Sequence, residues 1–187
     1  MSKSEELIKR LALDATIHEE EIPAIDLYMD QVIQLFDSKF GQTLRNKEEK
    51  VLTKTMINNY AKGKLFIPIK NKKYSKQHIM LISLIYQLKG ALSISDIKSV
   101  LDPVNKKMEV EGFQLEDLYS YLIELQQKNV GSILQEMKVQ EDKIQQLEVD
   151  EEMKQILLIA SLTNMSNAYR KAAELLVDDL RGNEKEL

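Results

Sequence analysis

The sequence predicts a mainly α-helical protein with one short two-strand ribbon near its middle and a further helical unit after it. Three observations predict this. The 187 residues hold only three prolines and six glycines, so few points interrupt a helix. Apolar residues recur three and four positions apart along most of the chain. The one run that reads as a strand, Leu65-Phe66-Ile67-Pro68-Ile69, carries a proline that confines it to a sheet edge.

Ser4-Glu5-Glu6-Leu7-Ile8 opens an amphipathic helix with Leu7, Ile8, Leu11 and Ala15 at helical spacing, ending near Glu19–Glu21 and broken by Ile22-Pro23. A second helix follows, with Ile25, Tyr28, Met29, Val32, Ile33, Leu35, Phe36 and Phe40 inward and Gly41 as its stop. After the polar stretch 42–49, Thr53 caps a helix that runs through Met56, Ile57 and Tyr60 to Gly63. Its outer side holds Lys54, Asn58, Asn59 and Lys62, two amides and two lysines of the kind that meet base edges and phosphates.

Residues 65–69 are expected to return through a turn at Asn71 into Lys72-Lys73-Tyr74. So small a ribbon is unstable alone and must pack on the helices through Leu65, Ile67 or Tyr74. Ser75 caps the next helix, with Ile79, Leu81, Ile82, Leu84, Ile85 and Leu88 inward, and a short helix at 92–101 stops before Asp102-Pro103. Further helices are expected at 115–127, 132–147 and 151–180, the last closed by Gly182. In its first half that last helix is apolar on more than one side, which suits the centre of a bundle or a subunit interface.

Charge is unevenly placed. The net charge of −4 divides into −6 over residues 1–38, +11 over 39–107 and −9 over 108–187. The run from Tyr60 to His78 holds six lysines and no acid. A cationic centre between anionic ends points to a polyanionic partner for the centre alone.

Catalytic patterns are missing. There is no cysteine, and the two histidines, His18 and His78, have no partner at metal-ligand spacing; both read as surface residues. No glycine-rich phosphate loop and no Gly-x-Ser-x-Gly elbow occurs. Hence no enzyme, metal or cofactor is expected. The longest apolar run, 156–160, is far short of a membrane span, and the first twenty residues lack a signal-peptide core. A cytoplasmic setting is expected.

The order of helix, basic-faced helix, basic ribbon, helix and short helix describes a winged helix-turn-helix. The wording resembles the MerR family of transcription regulators. Thr55-Met56-Ile57-Asn58-Asn59-Tyr60 stands in the recognition-helix run, Gly63-Lys64-Leu65 and Pro68 in the first wing strand, and Lys72-Lys73-Tyr74-Ser75 in its return. Ile94-Ser95-Asp96-Ile97-Lys98-Ser99-Val100-Leu101 fills the later helical run. With residues 23–31 in front, the chain looks closer still to a bacterial family of unknown function with a MerR-like DNA-binding unit. Asn58 stands where the family usually has arginine, and lysines fill the wing.

The organisation expected is an N-terminal helix at 1–22, a MerR-like DNA-binding domain at 23–101 and a helical dimerisation or effector domain at 108–187. The function expected is sequence-specific DNA-binding regulation of transcription, most simply repression. Lys54, Asn58, Asn59 and Lys62 would contact duplex DNA from the helix and Lys70, Lys72 and Lys73 from the wing. Tyr60 would either contact a phosphate or pack in the core, the core being favoured. Such a unit covers one half-site, so a homodimer is expected, with the helix at 151–180 as its pairing element. Met137, Met153, Leu157 and Met165 could line a small-molecule effector pocket, although core filling is the simpler reading. The rival function is a protein–protein adaptor whose basic centre docks an acidic partner.

Overall fold

The computed structural model describes residues 11–46, 48–110 and 112–183. It is mainly helical, with six α-helices among the described residues and one small two-strand antiparallel sheet. The elements are β1 (Leu27–Tyr28), α1 (Met29–Phe40), α2 (Lys54–Lys62), β2 (Lys73–Tyr74), α3 (Lys76–Leu88), α4 (Ile94–Lys107), α5 (Leu115–Gln145) and α6 (Glu151–Asn183).

The amphipathic helix expected at the N-terminus falls largely outside the described residues. Its described remainder differs from expectation. The chain leaves helical geometry at Ala12, which has φ 42°, and residues 15–18 run without regular structure to a single 3-10 turn at Glu19–Glu21. Tertiary contacts hold this segment. Ile17 is fully buried, its carbonyl accepts the Tyr119 hydroxyl at 2.7 Å, and Glu21 pairs with Lys39.

The core is built around α3. Every residue from His78 to Ile85 is buried, so the helix is apolar on all sides and the others wrap it. From α1 come Val32, Phe36 and Phe40; from α2, Ile57 and Tyr60; from α4, Ile97 and Leu101; from α5, Leu115, Tyr119 and Ile123. Ile25 and Tyr28, expected inward on the α1 helix, precede it and are exposed.

The ribbon also differs. Residues 65–69 form no strand; Leu65 and Phe66 turn into the core and residue 70 makes a single bridge to Lys73. β2 pairs with β1 instead, in the register Leu27 opposite Tyr74 and Tyr28 opposite Lys73. Apolar burial of Leu65 and Phe66 takes precedence over ladder formation that Pro68 could not complete.

Two expected helix boundaries move. α4 continues through Pro103 to Lys107, because Val104 and Met108 still pack against the core beyond the proline. The one donor the proline withholds from the helix ladder is its own N–H. α5 runs unbroken across Gly131, where two helices were expected. α4 is also held at both ends: the Arg181 guanidinium reaches Asp96 at 2.7 Å and Ser99 at 2.9 Å, and the Asn105 amide donates to the Leu65 carbonyl at 3.1 Å. No helix among the described residues is long and apolar enough to cross a membrane.

Candidate nucleic-acid interface

Thr53 starts α2 by accepting the Met56 N–H on its hydroxyl at 3.1 Å. The helix then buries Ile57 and Tyr60 and leaves Lys54, Thr55, Asn58, Asn59 and Lys62 in solvent. Of the two readings given above for Tyr60, the phosphate contact is corrected and the favoured one stands: it is 4% exposed and belongs to the core. Burial pushes its phenol pKa up.

The end of α2 is a Schellman cap. The Leu65 N–H reaches the Tyr60 carbonyl at 3.0 Å and the Lys64 N–H that of Ala61 at 3.1 Å. The left-handed position usually given to glycine is taken by Lys64, at φ 55°. Gly63 serves a different need, since a Cβ there would lie 2.7 Å from Leu65 Cδ1.

Leu65 and Phe66 sink inward, and the chain then returns through Lys70-Asn71-Lys72-Lys73. The Lys73 N–H closes on the Lys70 carbonyl at 2.9 Å, with φ 51° at Asn71 and 58° at Lys72. Positive φ at both central residues is the type I′ pattern, in which asparagine is favoured first and glycine second. A lysine holds the second place here.

Behind this basic turn sits His78. Its Nδ1 lies 3.1 Å from the Ser75 N–H and 2.7 Å from the Ser75 hydroxyl, while Nε2 faces the Ile67 carbonyl at 3.1 Å. At 5% exposure it is no surface residue, which corrects the expectation from sequence. Packing of Phe66 and Tyr74 edge-on to the imidazole closes the space around it.

Two contacts join helix and turn. The Lys54 ammonium lies 2.8 Å from the Asp30 carboxylate at the start of α1. Tyr28, two residues earlier, lies opposite Lys73 in the sheet, and the Lys73 ammonium sits 5.3 Å from its ring centroid. The outer side of α2, the start of α1 and the basic turn thus adjoin. Of the predicted residues, Lys54, Asn58, Asn59, Lys62, Lys70 and Lys72 are exposed and Lys73 is half-buried against Tyr28. Among the described residues Lys62, Lys64, Lys70 and Lys72 make no ion pair, whereas Lys76 is neutralised by Glu19 at 2.7 Å.

Sequence reasoning missed Tyr28 and Asp30 at this surface. Helical spacing placed Tyr28 inward, and only the pairing of β1 with β2 shows that it faces out. The four residues at 137, 153, 157 and 165 also differ from expectation. Met137 is buried on α5, while Met153 and Leu157 are exposed, so the core filling favoured above does not hold for all four. A small hollow between α5 and α6 is lined instead by Ile144, Lys154 and Leu158 with polar neighbours.

The chain belongs to the family described as a domain of unknown function (DUF1836), whose model matches residues 17–122, more than half of the chain. That span takes in the core from Ile17 to Leu122 and the whole of the basic surface. No curated protein and no solved structure matches it.

Proposed function

We propose that this protein is a sequence-specific, DNA-binding regulator of transcription built on a MerR-like winged helix-turn-helix, acting as a repressor. In this reading α2 is the recognition helix and the turn at 70–73 the tip of the wing. Asn58 and Asn59 meet base edges, where an asparagine amide matches the adenine donor–acceptor pair. Lys62, Lys70, Lys72 and Lys73 meet phosphates and set register.

The observation that carries this reading is where the lysines stand. Lys64 and Lys72 hold left-handed backbone positions, where a non-glycine residue costs roughly 1–2 kcal/mol. Solvation alone gives no reason to keep a long cation in such places, since lysine solvates equally well on a helix. A polyanion opposite the turn does.

Two copies would give two reading surfaces, and α6 carries the features of a pairing element. From Gln155 to Tyr169 it has no charged residue, yet Ile156, Leu157 and Ile159 are exposed. Antiparallel pairing of two such helices about Ser161 sets Glu151 and Glu152 beside Lys171 and Arg170. Sedimentation of the full chain tests this: a dimer is expected, and Leu157→Glu should shift it to monomer.

DNA binding is tested by titrating nonspecific duplex at several salt concentrations. A steep fall of log affinity with log salt is expected. In the Lys72→Ala/Lys73→Ala double variant it should be shallower by roughly 0.9 for each phosphate left without its lysine. A chain with no affinity at low salt, or with no salt dependence, rejects the reading and leaves the protein-adaptor function. Selection of binding sites from random duplex then tests sequence specificity.

A further inference from the structure

Between α2 and the basic turn stands Tyr28, and nothing in the core accounts for it. Tyr60, Tyr74 and Tyr119 are buried, whereas Tyr28 is 55% exposed beside the basic turn, as Tyr121 and Tyr169 are on the C-terminal helices. Ile25, three residues before Tyr28, is 71% exposed as well, and the exposed carboxylates Asp26 and Asp30 stand two residues to either side of Tyr28.

The position of this tyrosine is fixed on several sides. Its backbone pairs with Lys73 across the sheet, and its N–H donates to the Gln31 side-chain oxygen at 2.9 Å. Lys73 covers its ring, at 5.3 Å from the centroid. Asp30, two residues further on, holds Lys54 at 2.8 Å. Tyr28 is therefore tied to the hairpin turn through Lys73 and stands two residues from the carboxylate that holds the first turn of α2. An exposed aromatic held by a cation gives up little conformational freedom when it binds.

We infer that Tyr28 is a DNA contact, its hydroxyl donating to a phosphate oxygen while the neighbouring Lys73 neutralises the same stretch of backbone. The inference rests on the DNA-binding reading and adds to it a non-ionic contact between the recognition helix and the wing. Tyrosine hydroxyls serve this positioning role at duplex backbones, and a hydrogen bond to a charged oxygen is stronger than one to a neutral group.

Because tyrosine carries no charge, its removal has a signature different from that of a lysine. Counterion release depends on ionic contacts, so replacing Tyr28 should lower affinity at every salt concentration and leave the log–log slope unchanged. The experiment uses the full chain, a labelled duplex and fluorescence anisotropy across a salt series, with wild type, Tyr28→Phe, Tyr28→Ala and Lys73→Ala side by side.

Tyr28→Phe keeps the ring and its packing, and should bind about ten-fold more weakly at an unchanged slope and an unchanged thermal midpoint. Tyr28→Ala should bind at least as weakly, whereas Lys73→Ala should flatten the slope. A wild type that binds while Tyr28→Phe equals it at every salt concentration overturns this inference alone. So does a weaker Tyr28→Phe whose slope falls as that of Lys73→Ala does. A wild type that binds no duplex even at low salt overturns the DNA reading and this contact together.

Discussion

The imidazole Nε2 of His78 lies 3.1 Å from the carbonyl oxygen of Ile67, while its Nδ1 receives the N–H of Ser75 at 3.1 Å. Only the neutral ring with its proton on Nε2 satisfies both partners, since Nδ1 must accept and Nε2 must donate. One side chain thereby ties the segment leading into the basic turn to the first turn of α3.

Burial lowers the His78 pKa below its ordinary 6.5, and hydrogen bonds to Ile67 and Pro68 and the charge of Asp26 offset this only in part. The unfolded chain therefore takes up a proton that the folded chain resists. Stability is fully present above about pH 6.5 and is lost as pH falls from there toward the depressed folded value. Urea unfolding should show a lower midpoint at pH 5.5 than at pH 8. His78→Gln should remove most of that difference, and an equal pH response in this variant would assign it to other groups.

Lys72→Gly separates stability from binding. Glycine relieves the left-handed strain at φ 58°, so the fold should gain about 1 kcal/mol, seen as a higher denaturant midpoint. Under the proposed function, affinity for duplex DNA should fall, because the ammonium that would meet a phosphate goes with the side chain. A variant both more stable and equal in binding would remove Lys72 from the interface.

Asp30 is the one carboxylate bonded to the predicted DNA-contacting lysines among the described residues. Its pair with Lys54 is exposed, at 69% for the Asp30 side chain and 63% for the lysine, so the bond itself contributes under about 1 kcal/mol. Asp30→Asn should scarcely move the thermal midpoint. It should tighten nonspecific duplex binding several-fold at low salt, an effect that a matched titration at high salt should shrink.

The Tyr119 hydroxyl joins three parts of the chain, donating to the Ile17 carbonyl at 2.7 Å and lying 3.2 Å from the Ser83 hydroxyl. Tyr119→Phe strands both partners away from water and should cost about 1–3 kcal/mol. Hydrogen exchange should speed up first in residues 15–22, because the one 3-10 turn at Glu19–Glu21 is the only backbone ladder described in that segment. A uniform drop in protection instead would mean that the segment unfolds only with the whole domain.

Much of the helical plan is legible in the sequence because it rests on local chemistry. Thr53 and Ser75 mark helix starts, and the inward residues of α2 and α3 repeat at helical spacing. The exposed face of Lys54, Asn58, Asn59 and Lys62 is readable for the same reason. What local pattern does not reveal is decided by partners distant in sequence. Tyr74 pairs with Leu27, forty-seven residues away, so the ribbon forms with β1 rather than with residues 65–69. His78 reads as a helix-start surface residue, but Phe66 and Tyr74 close over it. Pro103 reads as a stop, yet Val104 and Met108 still have core to cover.

The bracing of α4 gives it the character of a lever with two fixed bearings. One bearing is Asp96, gripped by Arg181 from the final turns of α6; the other is Asn105, which grips the Leu65 backbone where the chain leaves α2. Two bonds thus connect the last helix, by way of α4, to the root of the lysine-bearing turn.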